Sequence, residues 1–339
     1  MSKKILITGG AGFIGSHVVR LFVKRYPAYS IVNLDKLTYA GNLENLYGFM
    51  ENKNHVFVHG DIRNRDTVEK TIKEHKIDGI VNFAAESHVD RSISGPGIFI
   101  ETNVTGTLNL LLCAKDLGVK RFLQVSTDEV YGSLSPDEEA FTEQTLIKPN
   151  SPYSASKAAS DHLVHAFHHT FGMDTVITRC SNNYGPFQFP EKMIPLCINN
   201  IRQGKQIPVY GDGMQIRDWL YVYDHCTAIL KVLENGESGE VYNIGGSNEK
   251  TNLELVTILL KLLGKDESLI KFVKDRPGHD RRYAIDNSKI TNSLGWEPSV
   301  TFEQGIAKTV DWYLKNQTWL DHVTSGDYQK YYDKMYLNK

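Results

Sequence analysis

A hydroxyl and two carboxyl groups stand side by side at Thr127, Asp128 and Glu129, directly after the apolar stretch RFLQVS. Adjacent carboxylates repel each other, and neither residue type favours a strand. A solvated turn would tolerate the pair, whereas a reaction site would use it to provide an acid and a base together. In a partly dry site, repulsion favours one protonated and one ionised carboxyl group. The residues alone do not show which of the two is the acid.

A second pair with chemical potential, Tyr153 and Lys157, lies four residues apart in PYSASK. On a helix this spacing places both side chains on one face. A lysine ammonium near a phenol stabilises the phenolate, so we expect Lys157 to lower the pKa of Tyr153 and make it a usable base. The spacing is common by chance, and an exposed helix pair is the alternative unless a cofactor site lies nearby.

A glycine-rich turn near the N-terminus predicts such a cofactor site. Gly9, Gly12 and Gly15 in ITGGAGFIGS follow a strand pattern and open a helix pattern, as in the dinucleotide-binding fingerprint. The glycines allow close backbone approach, and the helix N-terminus receives the pyrophosphate. Asp35 ends the strand pattern SIVNLD 20 residues after Gly15. A carboxylate there accepts hydrogen bonds from the ribose hydroxyls and repels a 2′-phosphate, so the predicted cofactor is NAD.

Strand and helix patterns alternate through the first half of the chain. The strand patterns are KILITGG, SIVNLD, HVFVHGD, DGIVNFAA, RFLQVS and DTVITRC. Apolar strands that alternate with helices predict an α/β fold with a doubly wound parallel sheet, a Rossmann fold, whose ligands bind at the carboxyl ends of the strands. We assign residues 1–183 mainly to this NAD-binding domain and residues 184–339 mainly to a smaller C-terminal α/β domain that binds the substrate. A strand near residues 240–246 is expected to return to the first sheet.

These motifs together resemble the extended short-chain dehydrogenase/reductase family, in its branch that acts on nucleotide sugars. ITGGAGFIGS and YSASK carry the general resemblance. The stretches similar to the dehydratases of that branch are STDEVYG, AAESHVDRS, NNYGP, YGDGMQIRDWLYVYDH and RPGHDRRYAID. The resemblance extends from about residue 3 to beyond residue 320, and Asp128-Glu129 is its most specific part.

The resemblance implies a lyase reaction on dTDP-glucose in deoxysugar biosynthesis, for example that of dTDP-rhamnose. The sugar would be oxidised at C4, lose water between C5 and C6, and take the hydride back at C6, so NAD would stay tightly bound. Thr127 would complete a triad with Tyr153 and Lys157. Glu129 would be the base at C5 and Asp128 the acid for the C6 hydroxyl.

The fold and the resemblance also imply two sets of binding residues. The cofactor set is Gly9, Gly12, Phe13, Ile14, Gly15, Asp35, Lys36, Asp61, Ile62, Ala84, Ala85, Thr102, Tyr153, Lys157 and Asn183. The substrate set is Ser87, Thr127, Asn182, Glu191, Lys192, Tyr210, Arg217, Asn252, Arg276 and His279. A guanidinium suits bidentate contact with a diphosphate, although each arginine taken alone would be a solvated surface charge.

Composition excludes several other classes of function. The 339 residues are 41% hydrophobic and 23% charged, with a net charge of −2, so no bulk charge attracts nucleic acid or an anionic membrane. No apolar run of about 18 residues predicts a membrane span. MSKKILITGG leads from two lysines straight into a strand pattern, so we expect a cytoplasmic protein with four reduced cysteines.

A histidine-rich helix pattern needs a separate explanation. His162, His165, His168 and His169 occur without an accompanying carboxylate–histidine catalytic motif, so we expect no metal site. The resemblance implies instead that this helix packs in the interface of a homodimer.

Three alternative functions remain for comparison. The first is a dehydratase for another nucleotide base, since the sequence barely separates dTDP from UDP or CDP. The second is a 4-epimerase of the same family, against which the Asp128-Glu129 pair argues. The third is a non-catalytic NAD-binding sensor, which would be expected to lose Tyr153 or Lys157, and this chain keeps both.

Overall fold

The computed structural model of the protein describes residues 3–326, 328 and 330. Its strands are β1 (Lys3–Thr8), β2 (Tyr29–Asp35), β3 (His55–His59), β4 (Gly79–Asn82), β5 (Arg121–Thr127), β6 (Thr175–Cys180), β7 (Asn182–Tyr184), β8 (Ile207–Tyr210), β9 (Ile216–Tyr221), β10 (Val241–Ile244), β11 (Glu249–Thr251) and β12 (Ile270–Val273). Its helices are α1 (Phe13–Arg25), α2 (Arg65–His75), α3 (Val89–Ser94), α4 (Gly97–Phe99), α5 (Thr107–Asp116), α6 (Pro152–Phe171), α7 (Met193–Arg202), α8 (Val222–Asn235), α9 (Asn252–Leu262), α10 (Ser288–Leu294), α11 (Phe302–Lys315) and α12 (Gln317–Val323). A π-helical segment spans Ile100–Gly106, and 3-10 turns span Leu43–Leu46, Asp128–Tyr131 and Glu267–Leu269.

Seven strands form one parallel sheet in the order β10-β6-β5-β4-β1-β2-β3. The chain builds outward from β1 in one direction through β3 and then restarts on the other side of β1 with β4. The predicted doubly wound parallel sheet is therefore confirmed. In such a sheet, the crevice between β1 and β4, at their carboxyl ends, is the expected ligand site.

Helices cover both faces of this sheet, which is why its strands read as continuous apolar runs. On one face, Phe22 of α1 and Ile229 of α8 are fully buried. On the other face, Val68 of α2, Leu110 of α5 and Val164 of α6 are fully buried. The sheet is therefore the middle of three layers, and only its ends are open to ligands.

One helical segment corrects an expectation from the sequence. Gly97–Asp116 has the length and apolar composition of a membrane span, although no such run was expected. Its Leu110, Leu111 and Ala114 are fully buried in the core beneath the sheet. Packing inside the protein therefore accounts for the apolar character of its second half, whereas Ile98 and Ile100 near its start are exposed.

The second half of the chain forms smaller sheets with a core of their own. Strands β11, β9 and β7 make one sheet, and β12 pairs with β8 in another. Leu255 and Leu259 of α9 pack with Phe302 of α11 in this second core. Strand β10 leaves this half and pairs with β6 at the edge of the seven-stranded sheet. Residues 331–339 of the predicted C-terminal domain lie outside the described residues.

Candidate active site

A single cleft at the carboxyl ends of the parallel strands brings together most of the predicted site residues. It encloses about 1600 Å³, its open mouth included. All members of the predicted cofactor set line it, as do all five predicted catalytic residues. The members of the substrate set that line it are Ser87, Thr127, Asn182, Glu191 and Lys192.

The glycine turn at the end of β1 is shaped for close backbone approach. Gly9 has a φ of +71°, and a Cβ there would lie 2.7 Å from the backbone nitrogen of Ala84, after β4. A Cβ on Gly15 would lie 2.3 Å from the carbonyl oxygen of Gly9. Side chains larger than hydrogen would fill this cradle between β1, β4 and the start of α1. The turn therefore fits the pyrophosphate of a dinucleotide.

The carboxylate of Asp35 is fixed at the end of β2, as a ribose-binding group requires. Its two oxygens accept the backbone N–H groups of Ala11 and Leu37, each at 2.8 Å. Each carboxylate oxygen can accept a further hydrogen bond, so ribose hydroxyls can be bound as well. The residues present therefore fit NAD.

Asp61 pairs with two cations near the end of β2. It forms ion pairs with Lys36 at 2.9 Å and with Arg63 at 2.8 Å. Although burial raises its pKa, the hydrogen bonds from Arg63 and Lys36 lower it to about 2. Lys36 is thus already paired with a carboxylate, which agrees with a site for an unphosphorylated ribose.

Helix α6 presents Tyr153 and Lys157 to the cleft. Ser151 and Ser154 form a capping box that fixes its first turn. The Lys157 Nζ donates to the carbonyl oxygen of Val125 in β5 at 2.7 Å, which ties the helix to the catalytic strand.

The pKa of Tyr153 differs from the sequence-based expectation. Burial and the charge of Glu129 raise it well above its ordinary value, and a hydrogen bond with Thr127 lowers it only in part. Burial also lowers the pKa of Lys157, although Asp161 opposes that shift. The pKa of Tyr153 is therefore raised and not lowered among the protein's own groups, and the effect of Lys157 on it stays a prediction. The amount of burial, which the spacing of residues does not reveal, dominates.

The backbone changes direction between Thr127 and Asp128. Along a continuing strand, Asp128 and Glu129 would point to opposite faces. Instead β5 ends at Thr127 and a 3-10 turn begins, so both carboxyl groups line the same cleft. Thr127 caps this turn: its hydroxyl accepts the N–H of Glu129 at 3.3 Å and donates to the Asp128 Oδ1 at 3.2 Å.

Asp128 lies in surroundings that favour a neutral acid. Its side chain is 1% exposed, and its Oδ2 has no hydrogen-bond partner among the described residues. Burial and the charges of Glu129 and Asp218 raise its pKa well above the ordinary value, while Arg217 and Thr127 offset this only in part. This carboxyl group is therefore suited to donate a proton.

Glu129 lies in a different electrostatic setting. Burial raises its pKa above the ordinary value, while Lys192, Arg276 and Arg217 act to lower it. Three cations thus partly stabilise the ionised form of Glu129, whereas Asp128 has Arg217 as its one such cation and the anions Glu129 and Asp218 acting against its ionised form. The asymmetry favours Glu129 as the base and Asp128 as the acid.

The remaining members of the substrate set lie outside the lining of the cleft: Tyr210, Arg217, Asn252, Arg276 and His279. Arg276 and Tyr210 both contact the carboxylate of Asp90, at 3.1 and 3.2 Å. The ring of His279 lies 6.1 Å from that of Tyr210, and burial followed by the charge of Arg276 lowers its pKa to about 4.

Arg217 and Asn252 also lie outside the lining of the cleft, but only Arg217 acts on its carboxyl groups. Arg217 donates to the carbonyl oxygen of Asp280 at 3.0 Å, and its charge acts on Glu129. Asn252 begins α9, and its backbone N–H donates to the carbonyl oxygen of Gln215 at 2.9 Å. The structure thus connects Arg217 to the catalytic carboxylates and leaves Asn252 apart from them.

Two carboxylates that matter for this site, Asp218 and Asp90, were missed from the sequence. Asp218 accepts the N–H groups of Gly246 and Asn248 at 2.8 and 2.7 Å and raises the pKa of Asp128. Asp218 follows Arg217 within the apolar strand pattern around DWLYV, and an acidic residue buried in a strand is itself a signal of a site. Asp90 lies in AAESHVDRS, a stretch recognised without assigning this residue a role.

Comparisons with known proteins identify the family. A family model described as GDP-mannose 4,6 dehydratase matches residues 6–309. A dTDP-glucose 4,6-dehydratase of Xanthomonas campestris pv. campestris strain B100 is 56% identical, with 96% of this chain and 97% of the relative covered. The dTDP-glucose 4,6-dehydratase 1 of Escherichia coli K12 is 52% identical, covering 98% and 99%. This chain belongs to the dTDP-glucose 4,6-dehydratase family.

A solved structure extends the likeness to three dimensions. DesIV, a dTDP-glucose 4,6-dehydratase from Streptomyces venezuelae crystallised with NAD bound, superimposes with a TM-score of 0.92 at 51% identity. The match covers 94% of this chain and 99% of DesIV. The predicted resemblance to a dTDP-glucose 4,6-dehydratase is confirmed over nearly the whole chain.

The buried acid of this dTDP-glucose 4,6-dehydratase site should reduce the stability of the fold. A carboxyl group whose pKa is raised on folding loses stabilising free energy as the pH rises above its unfolded pKa of about 4. Asp128→Asn keeps the shape and removes the ionisation. It should increase the free energy of unfolding at pH 7 by about 1–2 kcal/mol, because such sites trade stability for function.

Chemical denaturation at a series of pH values measures this effect. The difference in the free energy of unfolding between Asp128→Asn and the unaltered protein should be small below about pH 4. It should increase as the pH rises. Asp137→Asn, at an exposed position nearby, is the matched control and should show no such increase. A difference in the free energy of unfolding that stays constant with pH would show that the raised pKa of Asp128 does not destabilise the fold.

Proposed function

We propose that this protein is an NAD-dependent hydro-lyase that converts dTDP-glucose to dTDP-4-keto-6-deoxyglucose and water, in deoxysugar biosynthesis such as that of dTDP-rhamnose. The observation that carries the proposal is the placement of Asp128 and Glu129, with different charged neighbours, in one cleft beside the Tyr153–Lys157 pair. Epimerisation at C4 requires no second acid–base pair, so these two carboxyl groups favour the dehydratase over the 4-epimerase.

Different residues would bind different parts of NAD. The glycine turn would hold the pyrophosphate, and Asp35 the adenosine ribose. When bound, NAD would supply a hydride acceptor for C4 of the sugar, a hydride donor for C6, and a positive charge in its oxidised form. Since the cofactor is regenerated in each cycle, tight retention is expected.

Tyr153 would take the proton from the 4-hydroxyl of the sugar during oxidation, once the positive charges of Lys157 and oxidised NAD offset the burial and the Glu129 charge that raise its pKa. Thr127, at the end of β5, hydrogen-bonds to this phenol and orients it. The Nζ of Lys157 donates to the carbonyl oxygen of Val125, which keeps the ammonium group at the cleft. Positioning of this kind supplies much of the rate enhancement in an enclosed site.

The elimination of water uses the two carboxyl groups in turn. The 4-ketone acidifies the C5 proton, which the ionised Glu129 removes. Asp128 donates its proton to the C6 hydroxyl, whose C–O bond breaks so that water leaves. Glu129 returns its proton to C5 as the hydride adds at C6, which leaves Asp128 ionised and Tyr153 protonated. Net transfer of that proton from Tyr153 to Asp128, both of which hydrogen-bond to Thr127, restores the starting state.

The nucleotide end of the substrate would lie toward the second half of the chain. Arg217 and Arg276 act electrostatically on Glu129 and carry the cationic groups that a diphosphate requires. Glu191 is paired with Arg91 at 2.8 Å, and Lys192 donates to the carbonyl oxygen of Ser87 at 2.7 Å. These fixed polar groups would bind the base.

Incubation of the pure protein with dTDP-glucose, UDP-glucose or CDP-glucose, without added NAD, tests the activity. Product mass should fall by one water with dTDP-glucose alone, because the retained cofactor is regenerated. An unchanged mass with an epimerised sugar would overturn the dehydratase. Loss of water from UDP-glucose or CDP-glucose instead would overturn the choice of base.

Amide variants separate the chemistry from cofactor binding. Asp128→Asn and Glu129→Gln should each reduce elimination by about 10²–10⁴-fold, the usual contribution of a general acid or base. The amount of NAD released on denaturation should match that of the unaltered protein. Glu139→Gln, at an exposed position on the same segment, is the control and should keep full activity. Elimination at the normal rate in both amide variants would show that the assigned roles are wrong.

The proposal includes a homodimer formed through α6 and the helical segment before α5. His162, His165 and His169 are exposed on α6. Ile98 and Ile100, in the helical segment just before α5, are exposed as well. An exposed mixture of aliphatic and histidine side chains suits an interface between two copies. Sedimentation equilibrium should give twice the mass of one chain, and Ala166→Glu on the exposed face should shift the protein toward monomer. A monomer at every concentration would contradict the dimer.

We also place the protein in the cytoplasm. The four cysteines Cys113, Cys180, Cys197 and Cys226 are buried and unpaired by disulfides, which fits a reducing compartment. Recovery of the native protein from an extracytoplasmic fraction would contradict this assignment.

A further inference from the structure

A buried polar network next to the reacting groups joins the two catalytic pairs. Tyr131 ends the same 3-10 turn that carries Asp128 and Glu129. Its hydroxyl donates to the Oδ1 of Asn243 in β10 at 2.7 Å. The same hydroxyl accepts a hydrogen bond from the Nη1 of Arg179 in β6 at 3.0 Å. The acid–base turn is thus attached to two strands of the sheet through a single phenol oxygen.

Arg179 extends this attachment to helix α6. Its Nε donates to the Oδ2 of Asp161 at 2.9 Å. Asp161 lies one helical turn after Lys157, which lies one turn after Tyr153. The guanidinium also lies over the ring of Tyr131, 4.9 Å from its centroid. One side chain therefore contacts both the acid–base turn and the helix of the tyrosine–lysine pair.

The network is almost fully withdrawn from water. Tyr131, Arg179 and Asp161 are 3%, 5% and 1% exposed, and Asn243 is inaccessible. Desolvation of a buried ion pair offsets most of its attraction, so such a pair adds little net stability over apolar side chains of similar size. A role in geometry explains its presence better than a role in stability.

We propose that Tyr131 and Arg179 are positioning residues that fix the acid–base turn relative to the tyrosine–lysine helix. This inference rests on the proposed function, since it concerns the same reaction. The turn has four residues and continues no strand or long helix, so it needs external contacts to hold its orientation. A shift of about 1 Å between reacting groups costs on the order of 10²-fold in rate.

Tyr131→Phe tests the proposal because it removes only the hydroxyl. The ring, stacked on Phe141 at 5.0 Å between centroids, is kept. For dTDP-glucose, kcat for the loss of water should fall about tenfold or more while KM changes less than about twofold, as expected for misplaced catalytic groups. With dTDP-6-deoxyglucose, which has no leaving group at C6, single-turnover oxidation at C4 should stay within about twofold of the unaltered rate.

Tyr242→Phe is the matched control on β10. Tyr242 is 2% exposed, and its hydroxyl accepts the N–H of Glu237 at 2.9 Å, outside the network. Both variants lose one buried hydroxyl, so chemical denaturation should show a similar decrease in the free energy of unfolding. Only Tyr131→Phe should change the ratio of elimination to oxidation.

The outcomes separate this inference from the proposed function. Failure of the unaltered protein to remove water from dTDP-glucose would overturn the proposed function and the inference with it. If the unaltered protein is active, elimination by Tyr131→Phe at the rate of Tyr242→Phe would overturn the inference alone. An equal slowing of elimination and oxidation would overturn it as well.

A second variant keeps the test decisive if Tyr131→Phe does not fold. Arg179→Lys retains the positive charge facing Asp161 but lacks the planar donor group that reaches Asp161 and Tyr131 together. It should reduce elimination about tenfold relative to oxidation of the 6-deoxy analogue. An unchanged ratio would refute the positioning role.

Discussion

Two neighbouring carboxyl groups share a buried cleft, and they cannot both be ionised there without a large penalty. The structure answers this constraint by giving Asp128 and Glu129 different neighbours. The carboxylate of Asp218 acts on Asp128, whereas the ammonium of Lys192 and the guanidinium of Arg276 act on Glu129. One carboxyl group is thereby favoured as an acid and the other as a base, although they are adjacent in the chain.

This division of charge explains why the reaction site lies between the two halves of the chain. The first half supplies the carboxyl groups, the phenol and the nucleotide turn at the ends of its parallel strands. The second half supplies the fixed charges: Asp218 is held by the backbone N–H groups of Gly246 and Asn248, and Arg276 by Asp90. Neither half alone would give the two carboxyl groups distinct roles.

Sequence reasoning succeeded where the signal is local. The glycine spacing, the carboxylate at the end of β2 and the alternation of strands with helices are all readable from short windows, and the parallel sheet and the cleft follow from them. It failed where the effect depends on contacts between distant positions. Tyr131 hydrogen-bonds to Arg179 and Asn243, which lie 48 and 112 residues away in the chain. No local sequence pattern predicts these two contacts. The burial of a side chain also cannot be read from a short window, which is why the sequence did not predict the raised pKa of Tyr153.

The raised pKa of Tyr153 has a consequence for the order of the reaction. The charge of Glu129 opposes the phenolate, and the phenolate in turn opposes ionised Glu129. The protein's own groups therefore favour the neutral phenol, and in the proposed mechanism Tyr153 would have to ionise before it could take the proton of the 4-hydroxyl. Its return to the neutral phenol would remove the repulsion and stabilise the ionised form of Glu129, the form assigned to removal of the C5 proton. Oxidation would thus prepare the proposed base for elimination, because the two groups share one electrostatic environment in the cleft.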